Sequence, residues 1–235
     1  MRIAERIASL NWQQITTKLD EIGYATSEPL LNQSECQELI DLYKEPKPFR
    51  SRIDMARFQF GHGEYQYFAD PLPPIVEDLR TNLYPHLAGI ANRWMEVMSL
   101  PERFPDDLTH FLQECRRKGQ PRPTPLLLFY KEGDYNCLHQ DLYGEISFPL
   151  QAAFVLNKRA VDYTGGEFLL LEQRPRAQSR GEAINLEQGQ MLIFPNRYRP
   201  VKGTKGYYRT TMRHGVSRVL SGNRSCLGII FHNAK

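Results

Sequence analysis

No apolar run in the chain approaches the roughly 20 residues that a membrane-spanning helix needs. Its first residues, MRIAERIASLNWQQ, lack the apolar centre and small-residue cleavage site of a secretory signal, so a cytoplasmic location is the expectation. The four cysteines, Cys36, Cys115, Cys137 and Cys226, are scattered without a CxxC pair, which argues against both a disulfide framework and a zinc knuckle. No internal repeat and no low-complexity tract is present. Histidine is scarce: six residues in 235, so a site built on imidazole has few candidates.

What is present is an ordinary globular composition, 41% hydrophobic and 24% charged, in a chain long enough for one large domain. The net charge of +3 hides an uneven distribution. From Leu171 to Arg218 ten basic residues face three acidic ones, and the remainder of the chain is net acidic. Such a stretch suits an anionic partner, although solvated loops also collect arginine.

The two halves differ in period. Ile3, Ile7, Leu10, Ile15, Leu19 and Ile22 recur at helical spacing and predict an amphipathic helix over 2–22. GYATSEPLL reads as a short strand and turn, and Ser34 with Gln37 as a capping box for a helix through about Tyr43. Val76, Leu79, Leu83, Leu87, Ile90, Ala91 and Trp94 trace one face of a long helix, with a bend expected at Pro85. Asp106 is the expected cap of a further helix ended by Gly119. After PRPTP, the segments LLLFYK, ISFPLQAAFVLN, GEFLLLEQ, AINLEQGQMLIFP, YYRTTMRHGVSRV and SCLGIIFH read as strands punctuated by Gly, Pro, Asp and Asn. Helices followed by strands without intervening helices predict an antiparallel sandwich or barrel, with a helical extension over 1–120 buttressing a core over 121–235 in one domain.

In CLHQDLYGEISFPLQ, His139 and Asp141 stand two apart, so in an extended segment both aim at one side. Two histidines and a carboxylate on one face of an ion leave three positions open, the arrangement of non-haem iron oxygenases. His62, His86 and His110 precede the strand-rich half, leaving His214 and His232 as the third ligand. His214 sits in a late strand, and Arg224 follows ten residues on, across an SGN turn that would lay two neighbouring antiparallel strands side by side. Arg224 is then placed to take a carboxylate by a forked pair of hydrogen bonds. His232 lies eight residues beyond Arg224, about 26 Å along an extended strand at roughly 3.3 Å per residue. His139, Asp141 and His214 are the expected metal ligands.

These residues resemble the Fe(II)/2-oxoglutarate-dependent oxygenase superfamily, over about 124–233. LLLFYKEGDYNCLHQD is similar to the family's Tyr, Gly and HxD pattern, and FVLNKRAVDYTGGEF and HGVSRVLSGNR continue the likeness to prolyl-hydroxylase-like members. GYATSEPLLNQSECQELIDLY resembles their entry strand and helix. The resemblance implies a mainly β fold, a double-stranded β-helix (jelly roll) buttressed by N-terminal helices. It further implies a dioxygenase using Fe(II), 2-oxoglutarate and O2, with Arg224 on the far carboxylate of 2-oxoglutarate and Tyr130 helping to bind it. Tyr130 is equally readable as a core tyrosine. HQDLYGEISFPLQ, TGGEFLLLEQRPRAQSR and RHGVSR look closer still to a bacterial family proposed to oxidise damaged or modified nucleic-acid bases, akin in function to AlkB DNA-repair demethylases. The chain departs from the AlkB pattern in carrying Leu128 where an Asn is usual and no arginine beyond Arg224.

Ligands common to many substrates do not select one. In NRYRPVKGTKGYYRTTMR, basic residues alternate with tyrosines, and Arg197, Tyr198, Arg199, Tyr207 and Arg209 are candidates for a nucleic-acid substrate, single-stranded or with a flipped base. QRPRAQSR adds Arg174, Arg176 and Arg180; both stretches are also readable as solvated loops. FRSRIDMARFQFGHGEYQYF, rich in aromatics and arginine, either lines a substrate lid or packs under the helices. The alternatives to base oxidation are hydroxylation of a protein side chain or small metabolite, and a jelly roll that binds metal without turnover.

Overall fold

The computed structural model describes residues 1–235. The predicted first helix is two: α1 (Ile3–Ala8) and α2 (Trp12–Ile22). The break has a local cause, because Asn11 caps α2 by accepting from the Gln14 N–H at 3.0 Å. Strand β1 (Ala25–Pro29) leads into α3 (Gln33–Leu42). The capping box of α3 is Asn32 with Glu35 rather than Ser34 with Gln37; Ser34 instead donates to the Asn32 side chain. The aromatic stretch that follows forms β2 (Phe49–Asp54), a 3-10 turn (Met55–Phe58), β3 (Gly61–His62) and β4 (Glu64–Phe68). Helix α4 (Pro74–Val97) runs through Pro85 and buries the predicted face, and α5 (Leu108–Arg117) is capped by Asp107, one residue after the expected Asp106.

Ten strands complete the chain: β5 (Leu126–Lys131), β6 (Tyr135–His139), β7 (Leu150–Val155), β8 (Tyr163–Gly165), β9 (Phe168–Gln173), β10 (Arg180–Ile184), β11 (Gln190–Pro195), β12 (Tyr198–Gly203), β13 (Gly206–Val216) and β14 (Val219–Ile230). They form two antiparallel sheets. The larger is ordered β1-β11-β7-β14-β5-β4-β2 with β8 on β14, and the smaller β10-β9-β13-β6-β3 with β12 on β13. AINLEQGQMLIFP is therefore two strand segments, not one. Between them Gly189 has φ +77°, and a Cβ there would lie 2.0 Å from the Leu31 carbonyl oxygen.

Apolar alternation holds the layers together. All of β7 is buried, with Leu150, Ala152 and Phe154 packing against the helices and Ala153 and Val155 against the facing sheet. The helices thus cover the outer face of the larger sheet, and the space between the sheets is the interior of a jelly roll. One expectation is corrected. Ser221, Gly222 and Asn223 do not form a turn; they lie within β14, and β13 and β14 belong to different sheets. Closure of the roll, not a hairpin, brings His214 and Arg224 to one interior.

Candidate active site

His139 ends β6, and His214 lies directly opposite it on β13. Their rings sit 4.2 Å apart between centroids. Asp141 falls just past the end of β6, so the loop rather than strand alternation returns its carboxylate. Its Oδ2 is 3.2 Å from His214 Nε2 and its Oδ1 3.6 Å from His139 Nε2. One ligand atom from each of the three residues lies within 4.8 Å of the others.

The protonation pattern fits a cation at this point. His139 Nδ1–H donates to the Cys137 carbonyl at 2.8 Å, which leaves a bare lone pair on Nε2 facing the carboxylate. Burial, with His139 alongside, pushes the His214 imidazole down in pKa. Burial by itself would raise the Asp141 carboxyl, but the adjoining His214 and His139 rings and the Tyr143 hydroxyl hold it well below the usual carboxylate range. Acceptors converging on one point repel one another unless a positive ion lies among them. Two imidazole nitrogens and one carboxylate form the facial set that suits Fe(II).

Further residues, which belong to no motif, fix Asp141. Tyr143 donates its hydroxyl to Oδ1 at 2.5 Å and Gln151 its amide to Oδ2 at 3.0 Å. Asn196 accepts from the Asp141 N–H at 2.8 Å and donates to its carbonyl at 2.5 Å. The available signal was polar residues inside apolar runs, in PLQAAFVL and IFPNR, since a buried amide has to find a partner. His232 lies outside the donor cluster: its Nδ1 accepts from the Phe148 N–H at 3.1 Å and its ring packs on Tyr143, the centroids 5.9 Å apart. Outer partners of this kind set metal affinity by about 10- to 100-fold. Tyr143→Phe should weaken Mn(II) binding by that order in a calorimetric titration, with circular dichroism unchanged; equal affinity would make the hydroxyl a bystander.

The same cavity, of about 300 Å³, holds the triad together with Arg224, Tyr130, Leu126 and Leu128. Arg224 pairs opposite Tyr130 across β14 and β5, so both project to one side. Its guanidinium lies 5.6 Å from the Tyr130 ring and is buried, with Nε and Nη1 unpartnered. A buried cation without an anion is costly, so this end of the cavity fits a carboxylate ligand. Gly166 makes the space, since a Cβ there would approach Arg224 Cδ to 2.7 Å. Tyr130 proves both core residue and cavity wall, with Asn136 donating to its hydroxyl at 3.4 Å.

The predicted substrate cluster is not brought to this cavity. Arg197, Tyr198 and Arg209 line a second one, of about 660 Å³, floored by Phe104, Phe111 and Phe148. The Arg197 and Arg209 guanidiniums lie 4.5 and 4.4 Å from the Tyr198 ring centroid, competing with a base for it. Tyr207 is exposed farther along the β12–β13 hairpin. Arg199 is corrected outright: it is fully buried, paired with Glu172 and donating to the Asp20 carbonyl at 3.0 Å, and it reaches no phosphate. Arg174 closes on the same Glu172 at 2.6 Å. Removing the carboxylate in Glu172→Ala strands a buried cation. The expected loss is about 3–5 kcal/mol of unfolding free energy by denaturant titration; a loss within about 0.5 kcal/mol, as for an ordinary surface change, would show that Asp20 alone suffices.

Fold and triad together define a 2-oxoglutarate- and Fe(II)-dependent oxygenase, an enzyme whose cofactors are iron, 2-oxoglutarate and O2. Residues 63–234 match a family described as an oxygenase catalysing oxidative methylation of damaged DNA, and the chain belongs to that family. An uncharacterized protein of Mycobacterium tuberculosis strain H37Rv is 48% identical over 167 residues, 71% of this chain and 72% of that protein. A 2OG-Fe(II) oxygenase-family oxidoreductase from Burkholderia pseudomallei superposes with a TM-score of 0.56 at 12% identity, over 95% of this chain and 92% of the other. A Pseudomonas putida prolyl-4-hydroxylase gives 0.53 at 10%, over 95% and 99%. At such identities the likeness is one of fold. No helix is long and apolar enough to cross a membrane.

Proposed function

We propose that this oxygenase acts on modified or damaged bases in nucleic acid, removing an N-linked methyl group by oxidation. The match of residues 63–234 to a family described by action on damaged DNA carries the reading. Two features support it. The cavity beside the triad is walled by Leu126, Leu128, Phe60 and Phe168, an apolar slot suited to a flat ring. The basic excess between Leu171 and Arg218 suits a polyanion.

Bound iron with 2-oxoglutarate and O2 supplies the oxidant that places one oxygen atom on a C–H bond and leaves succinate and carbon dioxide. The chain's own residues hold and orient. His139, Asp141 and His214 fix the metal, Tyr143 and Gln151 fix Asp141, Arg224 anchors the distal carboxylate of the cosubstrate, and the apolar walls exclude water. A methyl carbon on a base nitrogen, once hydroxylated, is a hemiaminal that expels formaldehyde and restores the base.

Succinate and formaldehyde release with methylated single-stranded oligonucleotides, set beside proline-containing peptides and small acids, tests this. Stoichiometric formaldehyde with the oligonucleotides is expected. Turnover of peptides or small acids alone would move the substrate to another class and leave the iron chemistry standing.

A further inference from the structure

Two aromatic rings between β2 and β4 stay largely outside the core and hold no metal. Phe58 and Phe60 are 54% and 46% exposed, yet their rings stack, with centroids 5.5 Å apart and planes 20° apart. Phe60, Gln59 and the half-exposed Leu138 line the metal cavity, so the exposed apolar surface gathers at its mouth.

The turn carrying these rings is pinned. Asp54 caps it by accepting from the Ala56 N–H at 3.1 Å, and the Phe60 N–H donates to the Met55 carbonyl at 3.1 Å. Met55 is wholly buried and its N–H donates to the Gly63 carbonyl at 3.0 Å. The Cys137 N–H donates to the Phe60 carbonyl at 2.8 Å, tying the turn to the strand that ends in His139. At Gly61 a Cβ would come within 2.3 Å of the Tyr135 carbonyl oxygen, so the two chains meet only because glycine stands there. Farther out on the same pair of strands, His62 packs on Tyr135 at 5.3 Å between centroids, and the Arg218 guanidinium lies 5.2 Å from that ring. Arg57, on the turn itself, is largely exposed.

We propose that Phe58 and Phe60, with His62, Tyr135 and Arg218 behind them, form a stacking track for the unpaired strand flanking the target base. This rests on the nucleic-acid reading above and adds to it the strand's path. The chemistry is that of single-strand binding: π faces take neighbouring bases whatever their identity, and cations beside them take phosphates. Held rings need no reordering when the strand arrives. The Arg197–Tyr198–Arg209 cluster, on the other cavity, is not part of the track.

The test uses the full chain with iron and 2-oxoglutarate, acting on a methylated single-stranded oligonucleotide and on the corresponding methylated mononucleotide. Phe58→Ala/Phe60→Ala should raise KM for the oligonucleotide about tenfold or more, and by far more than it raises KM for the mononucleotide. Phe58→Trp/Phe60→Trp should restore KM, whereas Phe58→Leu/Phe60→Leu, apolar without π faces, should not. Without iron, oligonucleotide affinity by fluorescence anisotropy should fall in the alanine pair. Arg218→Gln should flatten its log–log salt slope by roughly 0.7, one phosphate contact on a single strand. Unchanged KM in the alanine pair, or full rescue by leucine, overturns the track while base oxidation stands. If the unaltered enzyme turns over no oligonucleotide, the track and the function proposed above fall together.

Discussion

His214→Ala should reduce iron- and 2-oxoglutarate-dependent succinate formation to background and abolish tight divalent-metal binding. The site has three donors within 4.8 Å of one another, and His232 is not among them. Losing one imidazole leaves His139 and Asp141, two residues apart on one piece of chain, with nothing on the facing strand to close the ion. His110→Ala is the matched control. That residue is exposed on α5 beside Asp107, far from the interior in character, and metal affinity should be unaltered. The readout is calorimetric titration with Mn(II), independent of turnover. Metal binding at undiminished strength in His214→Ala would remove this residue from the ligand set.

Arg224→Met should have two effects of opposite sign. In the absence of 2-oxoglutarate the buried guanidinium has Nε and Nη1 unpartnered, and an apolar side chain of similar length relieves that desolvation. The unliganded protein should therefore melt higher than the unaltered one. Affinity for 2-oxoglutarate should fall, because two charge-assisted hydrogen bonds of about 1.5–3 kcal/mol each correspond to roughly 10²–10⁴-fold in Kd. At 100 times its Kd, the ligand stabilises the unaltered metal-loaded protein by about 2.7 kcal/mol, a rise of roughly 5–11 °C for a chain this long. That rise should vanish in the variant, while Mn(II) affinity remains. A variant that melts lower without ligand, or still responds to 2-oxoglutarate, would mean that another group grips the distal carboxylate.

The ligands were legible because their signal is local in type and spacing: an HxD at a strand end, and one late histidine among few. What orients Asp141 was not, because Tyr143, Gln151 and Asn196 converge only when β7 and β11 lie under the loop. The SGN misreading has a physical source. Glycine suggests a turn, but Gly222 is required by close approach, since a Cβ there would lie 2.0 Å from the Asp162 carbonyl oxygen where β8 pairs with β14. Arg197 and Arg199 looked alike in NRYRP, yet Arg199 meets Glu172, a partner 27 residues away that charge counting along the chain does not reveal. An antiparallel sandwich or barrel was legible in the strand-rich half, and the jelly roll in the family resemblance. The contribution of β2 to β4 to the two sheets was hidden, because an edge strand such as β2 buries little and alternates weakly.

A crystal soaked with Mn(II) and 2-oxoglutarate would show where the ion and the keto acid sit. The ion should bind His139 Nε2, an Asp141 oxygen and a His214 ring nitrogen, with the distal carboxylate of 2-oxoglutarate on Arg224. An ion held elsewhere, or a keto acid whose distal carboxylate turns away from Arg224, would contradict the site described above.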